Sequence, residues 1–304
     1  MKPALLLYPH ISSYPVLLLL GFFFGWLLAR ARADRYGILR RDLDNICLLL
    51  PIAGLFGARL FARLFYAKLP LLEALKVWEG DGLVFYGGFL FGALAVILYG
   101  VIRRLQLVKL VDCVAPSVAV GLAFGRVGCF LAGCCWGDVC VNHPQLAASN
   151  DPIAIARIHT FPQISPAGFP VAVQFPKKSD IYKQHARLNL VTAESTKSLP
   201  VHPVQLYEAI LAALLAFYLV RRSRVARPGD VALMMLVGYA LIRFATEFLR
   251  ADNKIYAFGM TFSQVVSVYI LLGSALIAGI RAVVMKRAPT PATPVHSPAA
   301  VTVN

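Results

Sequence analysis

The chain has 304 residues, of which 59% are hydrophobic and 15% charged, with a net charge of +15 and a mean hydropathy of +0.68. Soluble domains carry about 25% charged residues, so composition argues against an ordinary soluble domain and for a membrane protein. The positive balance does not make the chain a nucleic-acid binder, because no compact basic domain is visible and polytopic membrane proteins collect Lys and Arg in their cytoplasmic loops.

Seven apolar segments follow in chain order, at roughly 14–30, 45–66, 83–102, 110–133, 203–220, 231–249 and 261–282. Each is near the ~20 residues a helix needs to cross ~30 Å of hydrocarbon. The first has only Lys2 before it, Arg30 and Arg32 after it, and no A-x-A cleavage pattern, so it reads as a retained helix. Fifteen basic residues fall on alternate loops, those after the first, third, fifth and seventh segments. The opposite set has eleven, six of them spread over one long loop where charge counts little. The prediction is an all-α membrane protein with seven transmembrane helices, its N-terminus external and its C-terminus cytoplasmic. Residues 1–287 form the membrane unit, and 139–201 form a small irregular external head between the fourth and fifth helices. Residues 288–304, rich in Pro, Ala and Thr, read as a disordered tail. Within the insert, "VAVQFP" (171–176) reads as a short strand, and His143, His159 and His185 as exposed loop residues.

Four arginines fall inside predicted helices: Arg59, Arg63, Arg126 and Arg243. At mid-membrane an arginine costs about 2.5–3.5 kcal/mol on insertion scales. Arg63 reads as an interfacial residue that snorkels. Arg126 lies deep in the fourth segment. In the sixth, Tyr239, Arg243, Glu247 and Arg250 are spaced to share one helix face. Two readings follow: an Arg243–Glu247 pair that locks helices together, or a site for an anion, since arginine binds phosphate bidentately. Gly121, Gly125, Gly128, Gly133 and Gly137 permit either close helix contact or backbone approach to a ligand. The topology also puts Tyr86, His202, Gln205 and Glu208 toward the external half of the bundle.

Seven blocks in order resemble the prolipoprotein diacylglyceryl transferase family: "ISSYPVLLLLGFFFG", "GARLF" from Gly57, "VWEGDGLVFYGGFLFG", "GRVGCFLAGCCWG", "HPVQLYEA", "YALIRFATEFLR" and "GMTFSQVVSV". They run from about Ser13 to Ser267. The resemblance implies a bacterial inner-membrane enzyme that moves a diacylglyceryl group from phosphatidylglycerol to the lipobox cysteine of a prolipoprotein signal peptide, forming a thioether and releasing glycerol phosphate. It implies Arg126 on the lipid phosphate, with Gly87, Gly88, Gly125, Gly128 and Gly137 lining the lipid site. Tyr86, His202, Tyr239, Arg243 and Glu247 then form the catalytic set. On this reading Arg126 and Arg243, from separate helices, meet inside the bilayer around one headgroup. The partners implied are phosphatidylglycerol, the signal peptide and membrane lipid.

The sequence departs from the family pattern where polar partners are expected. Tyr86 stands in place of a histidine, Cys129 and Ala132 in place of asparagines, and Cys134 in place of a glutamate. Tyrosine, with a pKa near 10, is a poor base at neutral pH, so His202, Glu208 or a cysteine thiolate are the candidates for that role. Cys47 and Cys113 read as small buried apolar residues. Cys129, Cys134, Cys135 and Cys140 have further readings. A disulfide suits an oxidising external side, with Cys134–Cys140 or Cys135–Cys140 easier than the adjacent pair. A metal site is a third reading, but C-x4-C-C-x4-C is not a standard zinc spacing. No metal and no cofactor are assigned. Competing functions are a membrane thiol oxidoreductase, which would lack a C-x-x-C pair, a transporter of an anionic solute, and a family paralogue with a different acceptor.

Overall fold

A computed structural model describes residues 4–5, 8–67, 69–76, 78, 84–140, 171–177, 179–192, 194–251 and 255–287. Residues 288–304, read above as a tail, lie outside the described residues, as do His143 and His159. Each apolar segment folds into a long helix: α1 (Ser13–Arg32), α2 (Arg40–Phe61), α3 (Phe85–Ile102), α4 (Leu107–Ala132), α5 (Val204–Arg222), α6 (Asp230–Glu247) and α7 (Phe262–Arg287). Two short antiparallel pairs join them, β1 (Ala4–Leu5) with β2 (Tyr8–Ser12) and β3 (Ile255–Ala257) with β4 (Met260–Thr261).

Five helices are long and apolar enough to cross a membrane by length and composition: Ser13–Tyr36, Arg40–Phe65, Leu107–Ala132, Val204–Arg222 and Phe262–Val284. The apolar part of α3, Gly87–Ile102, is shorter, and α6 carries Asp230, Arg243 and Glu247 within its 18 residues. Large apolar side chains such as Leu19, Leu48, Ile52, Phe89, Ile210 and Leu272 are exposed. On a water-facing surface that would be a liability; on a helix in lipid it is what the solvent requires. The chain is a mostly helical, multi-pass membrane protein.

Helix α4 is the hub and touches α1, α5 and α6, while α2 pairs with α3. Small residues make the contacts close. A Cβ at Gly25 of α1 would meet the Ser117 carbonyl of α4 at 3.1 Å, and one at Gly88 of α3 would meet the Gly54 carbonyl of α2 at 3.0 Å. Buried polar groups fasten the end of the bundle away from α4's C-terminus. Arg32, at the end of α1, donates to the Cys113 carbonyl at 2.7 Å and the Asp112 carbonyl at 3.3 Å. The Asp112 carboxylate of α4, 1% exposed, accepts the Gly229 N–H at 2.5 Å and the Ala232 N–H at 2.8 Å. It thereby satisfies orphan donors at the start of α6 and places negative charge at the positive end of that helix. Arg63 lies within α2's π-helical extension, Ala62–Tyr66, and donates to the Glu73 carbonyl at 2.8 Å.

Three sequence expectations change. Helix α6 stops at Glu247, so Arg250 leaves the helical stripe, and its backbone instead bridges to Gly137. The segment "VAVQFP" is not a strand: it pairs at single positions, Val173 with Val201 and Pro176 with Lys197, and Pro176 has no N–H to extend a ladder. His185 is buried at 4% exposure rather than exposed. It sits on an eight-residue helix, Asp180–Arg187, capped by Ser179, whose hydroxyl accepts the Tyr182 N–H at 3.3 Å. His185 lies four residues after the fully buried Ile181, so both face inward. Ile181 itself joins Trp136, Val139, Phe175 and Val201 in a small core. His185 Nδ1 accepts the Leu199 N–H at 3.2 Å, and burial pushes its pKa down to about 4.

Candidate active site

Arg126 of α4, Glu208 of α5 and Arg243 and Glu247 of α6 form one ion network. The Arg126 Nε pairs with Glu208 Oε2. The opposite oxygen, Glu208 Oε1, accepts from Arg243 Nη1 at 2.9 Å and from the Thr246 hydroxyl at 2.9 Å. Arg243 Nη2 lies 2.6 Å from Glu247 Oε2 and donates to Ser263 Oγ of α7 at 2.9 Å. Glu247 Oε1 accepts from the Thr261 hydroxyl at 2.7 Å. The glutamates are 3% and 0% exposed and the arginines 17% and 13%.

Among the described residues, the two guanidinium and two carboxylate groups named here cancel in formal charge. That balance is what lets four ions sit away from water, since each alone would carry a desolvation cost of several kcal/mol. The two arginines do converge, as the sequence pattern predicts, but they converge on a protein carboxylate. Arg126 engages it only through Nε. Among the described residues its Nη1 and Nη2 have no partner, which leaves two parallel donors of the kind a phosphate accepts.

The other predicted residues distribute around this network. Tyr239 lies within electrostatic range of Arg126 and packs beside the buried cluster of Ala115, Ala119 and Leu219. The Gly125 position borders open space, whereas a Cβ at Gly128 would meet the Tyr14 ring at 3.0 Å. Gly87 and Gly88 lie in the seam between α2 and α3, facing Gly57 and Gly54. Tyr86 is the second residue of α3, and its side chain lies outside the described residues. His202 is buried at 5% exposure, with Nδ1 3.4 Å from the Tyr207 hydroxyl. Burial lowers its pKa, and Asp138 partly offsets that effect. Gly137 is locked to the same segment: its N–H donates to the His202 carbonyl at 3.0 Å, and a Cβ there would meet that oxygen at 2.5 Å.

The signature cysteines gather beside Arg126. No disulfide links the six cysteines. The sulfurs of Cys129, Cys134 and Cys135 lie within 4.8 Å of one another. Gly133 and Cys135 are both left-handed, at φ 69° and 60°. Gln205, 1% exposed, holds the turn through an Nε2 bond to the Cys134 carbonyl at 2.7 Å, while its Oε1 is buried without a partner. The Cys135 thiol is pushed below its usual range chiefly by the neighbouring Cys129 and Cys134 thiols, aided by Arg250 and Arg126, and the Cys134 thiol itself donates to the Cys129 carbonyl at 3.6 Å.

The family model for prolipoprotein diacylglyceryl transferase matches residues 3–280. The chain belongs to that family. The phosphatidylglycerol–prolipoprotein diacylglyceryl transferase of Clostridium tetani is 28% identical over 277 residues, covering 90% of this chain and 94% of the relative. Those of Burkholderia ambifaria and Burkholderia multivorans are each 32% identical, covering 88% of this chain and 90% and 89% of theirs.

In this member of the family the segment beside Arg126 carries Cys129, Cys134 and Cys135. Glu208, a candidate base from the sequence, is in the structure the joint between both arginines. Its signal was available, a carboxylate one turn after Gln205 in an otherwise apolar helix. Ser263, Thr246 and Thr261 left no comparable trace, because hydroxyls near helix ends are common in any membrane protein.

Proposed function

We propose that this chain transfers the diacylglyceryl group of phosphatidylglycerol to the cysteine thiol of a prolipoprotein lipobox, forming a thioether and releasing glycerol phosphate. It works in a bacterial inner membrane as residues 1–287, crossing it seven times. The N-terminus is external and the C-terminus cytoplasmic, in keeping with the basic residues on alternate loops. Residues 139–201 are assigned to the external side, and 141–170 of them lie outside the described residues.

The observation that carries this reading is the neutral Arg–Glu network with two unengaged donors on Arg126. Arg126 takes the lipid phosphate through Nη1 and Nη2 while Glu208 holds its Nε. Arg243, fixed by Glu208, Glu247 and Ser263, supplies a second positive charge near the ester. As the carbon–oxygen bond breaks, charge grows on the leaving phosphate. Fixed cations in a water-poor site stabilise that growth more than mobile water could, and one such donor is worth about 10²–10³ in kcat. Tyr239, within electrostatic range of Arg126, supplies a hydroxyl donor, and Tyr86 takes the same role in this reading. His202, kept neutral by burial, can accept the thiol proton. Gly125 leaves room for the glycerol backbone, and Gly87, Gly88, Gly128 and Gly137 set the helix and loop positions around it.

The test is direct. Purified protein in mixed micelles with phosphatidylglycerol should convert a lipobox peptide to its diacylglyceryl thioether, read as a mass increase, and leave the Cys→Ser peptide unchanged. Arg126→Ala and Arg243→Ala should each lose at least about 100-fold. An unmodified peptide, beside a family relative that modifies it, would sink the proposal.

A further inference from the structure

We propose that Cys129, Cys134 and Cys135 bind one zinc ion as a three-thiolate site whose open fourth position takes the acceptor thiol. The proposal rests on the transferase reading above and names how this chain activates its nucleophile.

The geometry comes first. Tetrahedral zinc with Zn–S bonds of about 2.3 Å requires sulfurs about 3.8 Å apart. The three sulfurs already lie within 4.8 Å of one another, so small rotamer changes close the site. Neighbouring residues on an extended chain point their side chains to opposite faces. Here Cys134 and Cys135 turn both sulfurs toward Cys129, and Cys135 holds a left-handed backbone at φ 60° to do so. A non-glycine residue in that conformation costs about 1–3 kcal/mol, and such strain collects where function over-determines the structure.

Charge supports the same reading. Three thiolates around a divalent ion leave one net negative charge. Arg250 and Arg126 both act electrostatically on Cys135, so the excess negative charge would face guanidinium groups. The spacing also excludes an ordinary closed zinc site. Among the described residues no fourth His, Cys, Asp or Glu joins the group, and the Cys140 thiol donates to the Asp138 carbonyl. Structural zinc sites are filled by four protein ligands, whereas catalytic ones keep a position open.

That vacancy suits a thiol. The acceptor thiol binds the ion and loses its proton, since coordination by zinc deprotonates a thiol outright. Its sulfur pair then forms the bond to the glycerol carbon that carries the phosphate. The carbon–oxygen bond breaks, its electron pair stays on the phosphate oxygen, and glycerol phosphate leaves beside Arg126. The displaced proton goes to His202 or to solvent. Atoms and charge balance with no oxidant or reductant.

Cobalt(II) is the probe. Wild-type protein, purified in detergent with a non-thiol reductant, should take up one cobalt per chain with thiolate-to-metal absorption, and zinc should displace it. Cys134→Ser and Cys135→Ser should lose that absorption while eluting as monodisperse helical protein, and Cys47→Ser should keep it. A lipobox peptide should raise the absorption by about one third, as three sulfur ligands become four, and its Cys→Ser analogue should not. Chelation should slow transfer at pH 7 by up to about 30-fold, because a free thiol of pKa near 8.5 is only a few per cent thiolate there. Zinc should restore the rate, and the chelation effect should shrink as pH rises past 8.5.

Absence of the absorption in wild type, its retention in Cys134→Ser, or a disulfide between any two of the three cysteines in protein taken from membranes would overturn the site. A peptide that leaves the cobalt spectrum unchanged would overturn the thiol-binding role. Full transfer after chelation and in the serine variants would overturn the proposal while keeping the transferase. Metal bound through these cysteines with no transfer under any condition would overturn the transferase reading and, with it, the acceptor role, and leave the bare metal site.

Discussion

Glu208→Gln is the perturbation that most directly probes how the ion network holds together. The substitution keeps size and leaves an oxygen that can still accept from Arg243 and Thr246, as Oε1 now does at 2.9 Å each. It removes the one charge that both arginines share. The network of Arg126, Arg243, Glu208 and Glu247 then changes from neutral to +1 in a site where Glu208 is 3% exposed. Removing one partner of a buried pair costs about 3–5 kcal/mol, because the remaining charge stays buried without compensation. At roughly 2 °C per kcal/mol for a chain of this size, the melting temperature in detergent should fall by roughly 6–10 °C. The double variant Arg126→Gln with Glu208→Gln returns the site to neutrality, so it should lose less than the sum of the two single changes, by about 0.5–3 kcal/mol. Thermal unfolding of all four proteins, followed by intrinsic fluorescence, supplies the cycle. A single variant as stable as wild type, or strictly additive losses, would refute the charge-balance argument.

Other consequences are equally specific. Thr261→Val deletes the 2.7 Å bond to buried Glu247 and should cost about 1.5–3 kcal/mol, the range for hydrogen bonds to charged groups, in the same unfolding assay. Gly137→Ala places a methyl against the His202 carbonyl and Val204, so folded yield by size exclusion should drop, whereas Gly125→Ala, facing open space, should fold normally. His185 has a pKa of about 4 against an ordinary 6.5. The unfolded state therefore binds more protons between those values, and stability is complete above about pH 6.5. It should fall by about 3 kcal/mol as the pH drops to 4. Hydrogen exchange of residues 179–201 should show that loss, and His185→Gln should flatten it.

The helices were legible because lipid demands long apolar runs, and nothing else in a sequence looks like them. The candidate site was legible through charge: Arg126 and Arg243 stand out because apolar helices otherwise exclude them. What escaped depended on events the pattern does not encode. Helix α6 could have run on through Arg250 by periodicity, but the pairing of Arg250 with Gly137 ends it. The burial of His185 required a short helix inside a loop-like composition. The three cysteines are spaced irregularly along the chain, and only the left-handed turn at Gly133 and Cys135 brings their sulfurs together.

Asp112 and Arg126 bracket a stretch of α4 about 21 Å long, at 1.5 Å per residue. Asp112 grips the start of α6 directly, and Arg126 reaches its far end through Glu208. Helices α4 and α6 thus run the same way, riveted at both ends like the rails of a ladder. Neither can slide or roll without breaking a buried charged contact. The distance between the two guanidinium groups is therefore built in before any lipid arrives, and whatever swings aside to admit a two-chain lipid belongs to the helices outside this frame.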